Sequence, residues 1–381
     1  MFYYITTFGC QMNVHESEKL AGVLENLGYL PCNKLEDADV IVFNTCAIRE
    51  GAEARALGNV GALKRLKREN PNKIIAVCGC MTQQKDVSER IKKVFPFVDI
   101  IFGTKNMDKF EGFIKEVLKA KSENKKQRIV QIEDEDTVLE NLPISRSSGD
   151  NFWVNIIYGC NNFCSYCIVP YVRGRERSRD KEEILKEIKQ IIEDNKGKHI
   201  TITLLGQNVN SYGKDKYENY GFASLLKDIC KLEGDFELTF MTSHPKDITD
   251  DVIETLAMEE KIKKELHLPV QSGSNKILKA MNRKYTIESY LEKVNKLKSL
   301  VPNIRLTTDI IVGFPGETEE DFIQTCNLVK QVGYDGIFAF MFSPRPGTVA
   351  EKMENQIPHE IKNRRVNELL NLEKEIKAKK A

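Results

Sequence analysis

Twice along this chain, short runs of β-branched and aromatic residues alternate with longer segments whose apolar residues recur at helical spacing. That alternation predicts parallel sheets covered by helices. In the first stretch, strands are expected at Tyr3 to Phe8, Val40 to Asn44, Lys73 to Val77 and Asp99 to Phe102. Helices are expected at His15 to Leu27, where Leu20, Leu24 and Leu27 share a face, and at Ile48 to Glu69, closed by Pro71. The rhythm stops over Lys119 to Asp150, which is charged and turn-rich, with one short possible strand at Ile129 to Ile132. This stretch reads as an interdomain linker. The rhythm then restarts, with strands expected at 152–158, 200–205, 236–242, 265–270, 304–312 and 335–342. Helices fit between them at 180–195, 221–231, 248–258, 274–281 with 286–300, and 317–332, the last opened by a Thr318/Asp321 capping box. Six strand–helix units are too few for a closed eightfold barrel and suit an open, partial one. The predicted domains are thus 1–118, a linker at 119–148, a partial barrel at 149–357 and a helical tail at 358–381. The tail carries Val366, Leu369, Leu370 and Ile376 and ends within a helical pattern, which predicts a further C-terminal module.

The chemistry is concentrated in ten cysteines. The Met1-Phe2-Tyr3-Tyr4-Ile5 start lacks the basic residues of a secretion signal, and no apolar run approaches membrane-spanning length, so a cytoplasmic location is expected. In that compartment cysteines point to metal or redox work rather than disulfides. Cys160, Cys164 and Cys167 sit in one Asn-rich turn after a predicted strand, spaced C-x3-C-x2-C. Three thiolates that close can grip an iron–sulfur cluster. With no fourth cysteine at ferredoxin spacing, one iron of a four-iron cluster stays open for a small molecule carrying an amine and a carboxylate. Zinc would ask for a fourth ligand that is not nearby. A second trio, Cys10, Cys46 and Cys80, falls at three predicted strand ends, where a parallel sheet brings distant residues to one edge. Buried structural thiols are the competing reading there, and Cys78, taken as strand interior, is the rival of Cys80. Cys32, Cys230 and Cys326 sit singly and read as structural. The net charge of +1, from 57 basic and 56 acidic residues, excludes a general nucleic-acid binder but leaves room for a local patch.

With both trios in view, the chain resembles the methylthiotransferases of the radical S-adenosylmethionine (SAM) superfamily, most closely the MiaB type that modifies tRNA. The resemblance spans essentially all 381 residues. It rests on Gly9-Cys10-Gln11-Met12-Asn13, Asn44-Thr45-Cys46, Gly79-Cys80-Met81 and Tyr158-Gly159-Cys160 through Arg173-Gly174-Arg175. Further stretches are Leu205-Gly206-Gln207-Asn208-Val209-Asn210-Ser211-Tyr212, His267-Leu268-Pro269-Val270-Gln271-Ser272-Gly273-Ser274, Thr308-Asp309 through Gly316-Glu317 and Phe342-Ser343-Pro344-Arg345-Pro346-Gly347-Thr348. The resemblance implies a flavodoxin-like N-terminal domain and a partial (β/α)6 radical SAM barrel. It implies two 4Fe–4S clusters, one on Cys160, Cys164 and Cys167 that cleaves SAM to a 5′-deoxyadenosyl radical, and an auxiliary one on Cys10, Cys46 and Cys80. A sulfur species at the second cluster is methylated by one SAM. The radical from another SAM removes hydrogen from C2 of N6-isopentenyladenosine beside the tRNA anticodon, and the methylthio group is delivered there. The C2–H is unactivated and gives acid–base catalysis no foothold, so the cofactors carry the chemistry while the protein positions the reactants. The implied partners are the isopentenylated tRNA, a sulfur donor, a reductant such as flavodoxin or ferredoxin, and no membrane. A small C-terminal β-barrel RNA-binding domain is usual in the family and is not in this chain.

For SAM itself, Tyr166 is placed to pack on the adenine and Gln207 stands where many relatives carry a glutamate that meets the amine. Gln271 and Ser272 follow a strand end, suited to the ribose or carboxylate, and Asp309 lies within another strand. Each residue type is equally at home in a structural role. Arg173, Arg175, Arg177 and Arg179 form an alternate-position run suited to RNA phosphates or, equally, to nearby acids. Rival readings are a sister enzyme acting on threonylcarbamoyladenosine or a ribosomal protein, and a non-enzymatic electron carrier or zinc-stabilised RNA-binding module.

Overall fold

The computed structural model describes residues 1–47, 50–133, 138–146 and 149–380. Its two compact units are Met1–Gly149 with Val169–Arg175, and Asp150–Ile168 with Glu176–Ala381.

The first unit is a parallel sheet of β1 (Phe2–Thr7), β2 (Leu30–Pro31), β3 (Val40–Thr45), β4 (Ile74–Gly79), β5 (Ile100–Phe102) and β6 (Ile129–Gln131). The strand order is 2-1-3-4-5-6, the flavodoxin-like order with one strand added at the edge. The helices are α1 (Gln11–Asn26), α2 (Glu50–Glu69), α3 (Lys85–Val94) and α4 (Phe110–Ser122). Every residue of β3 and β4 is buried, as expected for strands covered on both faces. Ile41, Phe43, Ile75 and Val77 share a core with Leu57, Val60 and Leu63 of α2 and Ile91 of α3. The segment read as a linker carries β6, which pairs in parallel with β5. Near its far end the Ser145 hydroxyl donates to Glu25 at 2.7 Å. An apolar Ile129-Val130 beside an unpaired strand edge gains ladder bonds by joining it. Part of the charged runs expected there, 134–137 and 147–148, lies outside the described residues, as do 48 and 49 at the expected start of α2. A short helix, α5 (Val169–Arg173), also belongs to this unit.

The second unit holds β7 (Asn151–Asn155), β8 (Ile157–Tyr158), β9 (Arg177–Ser178), β10 (Ile200–Leu205), β11 (Phe236–Phe240), β12 (Glu265–His267), β13 (Arg305–Val312) and β14 (Gly336–Met341). Two parallel three-stranded sheets, β11-β10-β7 and β12-β13-β14, are joined by a parallel bridge between Leu238 and Ile262. The six strands follow chain order, and among the described residues no ladder closes β14 onto β7. This is the partial barrel, wrapped by α6 (Lys181–Asp194), α7 (Phe222–Cys230), α8 (Asp250–Met258), α9 (Asn275–Ala280), α10 (Ile287–Leu300) and α11 (Glu319–Val332). The Thr318/Asp321 capping box opens α11, and Gly333 closes it in the left-handed conformation. The final helix, α12 (His359–Lys380), packs on β14 and α11, with Leu369 and Leu372 in the barrel's core. Two expected strands are shorter than their apolar runs. The 152–158 run breaks after Asn155, and β8 turns away to pair antiparallel with β9. The 265–270 run ends at His267, just before Leu268-Pro269, where proline has no N–H for a ladder.

Candidate active site

In the first unit, Cys46 and Cys80 directly follow β3 and β4, and Cys10 comes after Phe8 and Gly9 beyond the end of β1; the three strands are neighbours in the sheet. The backbone makes room for them. Gly9 has φ +119°, and a Cβ there would stand 2.7 Å from Cys46 Cβ and 3.0 Å from its sulfur. Gly79 has φ +103°, and a Cβ there would stand 2.3 Å from the Thr45 carbonyl oxygen. Glycine is thus required at both turns for the three strand ends to approach. Asn13, in the first turn of α1, ties the ends together: its Nδ2 donates to Phe8 O at 2.9 Å and Thr45 O at 3.0 Å. Cys10 Sγ lies 3.9 Å from Asn13 Oδ1. Cys80 N–H donates to Thr45 O at 2.9 Å. Burial pushes the Cys80 thiol up to about 12; the nearby Arg173 opposes this, while Glu16, Cys46 and Cys10 add to it. Cys78 is the penultimate residue of β4, paired with Asn44 within the ladder, and is buried.

In the second unit, Cys160, Cys164 and Cys167 occupy the loop after β8. Gly159 (φ 74°) and Phe163 (φ 46°) take left-handed conformations that coil this loop. The residues after α9 hold it: Ser165 N–H donates to Met281 O at 3.0 Å, and Asn282 Nδ2 donates to Asn162 O at 3.2 Å and Phe163 O at 2.8 Å. The Arg283 guanidinium donates to Cys164 Sγ at 3.5 Å and to Pro269 O at 2.7 Å. Burial pushes the Cys160 thiol up to about 12. Among the described residues, no three His, Cys, Asp or Glu side chains are gathered tightly enough to hold a single metal ion. Buried thiols with raised pKa values become ligands when a metal takes the proton's place.

The profile of the radical SAM superfamily matches residues 154–329, and that of "Uncharacterized protein family UPF0004" matches residues 2–103. The tRNA-2-methylthio-N(6)-dimethylallyladenosine synthase of Clostridium botulinum (strain Langeland) is 55% identical over 379 residues, covering 99% of this chain and 82% of the relative. The synthase of the same name from Caldicellulosiruptor saccharolyticus is 54% identical over 378 residues, 99% of this chain and 79% of the relative. The chain belongs to this synthase family. It is a radical SAM enzyme, and its family works with SAM and two 4Fe–4S clusters. The radical SAM methyltransferase TsrM of Kitasatospora setae, solved with cobalamin and a 4Fe–4S cluster, shares the fold: TM-score 0.65 at 13% identity, over 92% of this chain and 77% of TsrM.

The other residues expected at a synthase site fall into different places. Gln271 stands in a left-handed conformation (φ 69°), and its buried Oε1 has no protein partner, so it offers an acceptor to a polar ligand. Ser272 is buried, its Oγ accepting from Ser274 N–H at 3.2 Å. Asp309 pairs with His267 Nε2 at 3.4 Å. Tyr166 packs with Ile277, Met281, Phe314 and Phe342. Gln207 accepts from Gly159 N–H at 2.5 Å, so its oxygen braces the cysteine loop. The arginine run divides. Arg173 is buried on Glu16, Asn13 and Cys80, and Arg179 on Asn155 O and Glu187, so neither is a phosphate ligand on the surface. A strand-like alternation was the basis for grouping them, but a helix ends at Arg173 and β9 begins at Arg177. Arg175 is exposed and Arg177 half-buried. Sequence reasoning missed Glu16 and Arg283, whose partners are far away along the chain and carry no local signature. Asn13 was legible as part of the Cys10 motif but without a role.

Proposed function

We propose that this chain inserts a methylthio group at C2 of N6-isopentenyladenosine next to the tRNA anticodon, in the cytoplasm. The observation that carries the reading is 55% identity over 99% of the chain to a synthase of that name. Cys160, Cys164 and Cys167 are assigned to one cluster and Cys10, Cys46 and Cys80 to the other. Bound there, the clusters and SAM supply the electron, the radical and the sulfur that the reaction needs. The protein's own residues do the placing. Arg283 holds Cys164 and the loop after β12 together. Gln271 presents its Oε1 to a donor of SAM, and Ser272 and Asp309 stand beside it in sequence or across the ladder. Gln207 and Asn282 keep the cysteine loop in shape, and Tyr166 walls it with apolar neighbours. Arg175, which is exposed, and Arg177, which is half-buried, are the members of the basic run assigned to RNA phosphates. A sulfur donor and a reductant such as flavodoxin or ferredoxin complete the partners.

The test is anaerobic turnover of the reconstituted protein on an isopentenylated anticodon stem-loop, with mass spectrometry of the nucleosides. The methylthio derivative is expected; its absence, or activity only on threonylcarbamoyladenosine, refutes the reading. Cys160→Ala is expected to abolish SAM cleavage. Cys46→Ala is expected to keep SAM cleavage and lose sulfur insertion, and methylthiolated RNA from that variant would overturn the assignment of the first trio.

A further inference from the structure

We propose that Arg173 is a positioning residue that tunes the first cysteine trio, by donating a fixed N–H hydrogen bond to Cys80 Sγ that raises the reduction potential of the cluster held there. The inference rests on the assignment of Cys10, Cys46 and Cys80 to a cluster.

Every nitrogen of this guanidinium has a partner. Nε donates to Cys80 Sγ at 3.2 Å. NH1 donates to Glu16 Oε1 at 2.5 Å, and NH2 to Glu16 Oε2 and Asn13 Oδ1, each at 3.1 Å. Arg173, Glu16, Asn13 and Cys80 are 5%, 3%, 0% and 2% exposed, so water does not compete. The forked contact to Glu16 fixes the plane of the guanidinium and thereby aims Nε at sulfur. The same Glu16 cancels the arginine's charge. What the sulfur receives is therefore a directed dipole rather than a net positive field.

Hydrogen bonds to cluster sulfurs and net charge around them are among the determinants of reduction potential. An electron added to the cluster increases the negative charge on its sulfurs, and a fixed N–H stabilises that charge. Arg173 reaches this place on α5, which follows Cys167 closely in sequence but belongs to the first unit. Arg283 makes a related contact to Cys164, yet its described partners are a tyrosine hydroxyl, a carbonyl and the sulfur, with no balancing carboxylate.

Two substitutions separate the dipole from the charge. Arg173→Lys keeps the positive charge near Glu16 but loses the fork that points an N–H at sulfur. Glu16→Gln keeps the arginine and removes the balancing charge. Both are made in the full-length chain carrying Cys160→Ala, Cys164→Ala and Cys167→Ala, reconstituted anaerobically with iron and sulfide. The midpoint potential is read by redox titration with electron paramagnetic resonance. Arg173→Lys is expected to shift the potential to more negative values and Glu16→Gln to more positive ones, at unchanged iron content. A purely structural role predicts no shift in opposite directions. Unchanged potentials, or shifts of the same sign, overturn the proposal. If Arg173→Lys does not fold, the double variant Arg173→Met with Glu16→Gln, which removes the pair and the N–H donor without changing net charge, decides alone: a more negative potential is expected, and one equal to or above the parent's overturns the proposal. If the parent with three alanines binds no iron, the cluster assignment itself fails.

Discussion

His244 and Asp247, on the loop after β11, illustrate how burial sets the chemistry of single residues. Burial holds the His244 imidazole down at about 2 from an ordinary 6.5; Arg283 pushes the same way, and Asp247 at 3.8 Å opposes without winning. Burial raises the Asp247 carboxyl, but Lys214 and Asn208 outweigh it and leave it at about 2. The folded chain therefore holds a neutral histidine where the unfolded chain takes up a proton below pH 6.5. This stabilisation is complete above that pH and is lost as pH falls toward the folded value. At 1.36 kcal/mol per unit, the loss reaches about 2 kcal/mol between pH 6.5 and 5. His244→Gln should have a flatter urea-unfolding profile over that interval, and parallel profiles would refute the neutral histidine. Neither residue stood out from the sequence, because what matters is the closeness of Arg283, which arrives from beyond α9.

At the scale of elements, the two glycine turns and the last helix matter most. Gly79 closes β4 onto the Thr45 carbonyl, and its φ lies where side chains are strained. Gly79→Ala should cost at least about 1–3 kcal/mol and displace Cys80, seen as a lowered melting temperature and reduced iron retention. Normal iron retention would show that the turn tolerates a side chain. Leu369 on α12 is fully buried in the barrel core. Leu369→Ala should cost about 2–5 kcal/mol in urea unfolding, whereas the exposed Leu370 should tolerate alanine. These elements were largely legible in advance. The β-branched runs and the capping box at Thr318 are local signals, and local signals survive folding. The ends of β7 and β12 were not, since a ladder stops where the partner strand, or a proline, stops it.

For the molecule as a whole, two trios in two units predict about eight irons per fully loaded chain, from two four-iron clusters. Replacing either trio by alanine should halve that number, and an unchanged iron content in either variant would remove that trio from metal binding. Among the described residues, no helix is long and apolar enough to cross a membrane. The α/β class, the partial barrel and the spacing of Cys160, Cys164 and Cys167 could be read from residue order alone, because hydrophobic period and local cysteine spacing are properties of neighbours in the chain, whereas grouping Cys10, Cys46 and Cys80 depended on strand ends that a parallel sheet brings side by side. The linker looked free because its composition is polar, yet Ile129 and Val130 answer to an edge strand formed elsewhere. Arg173 looked like a phosphate ligand for the same reason. Its charge is visible in one dimension, but its partner Glu16 lies on α1, so its burial and its aim at Cys80 exist only once the chain has folded. Periodicity is written locally; pairing of buried charges is set by which distant segments share a core.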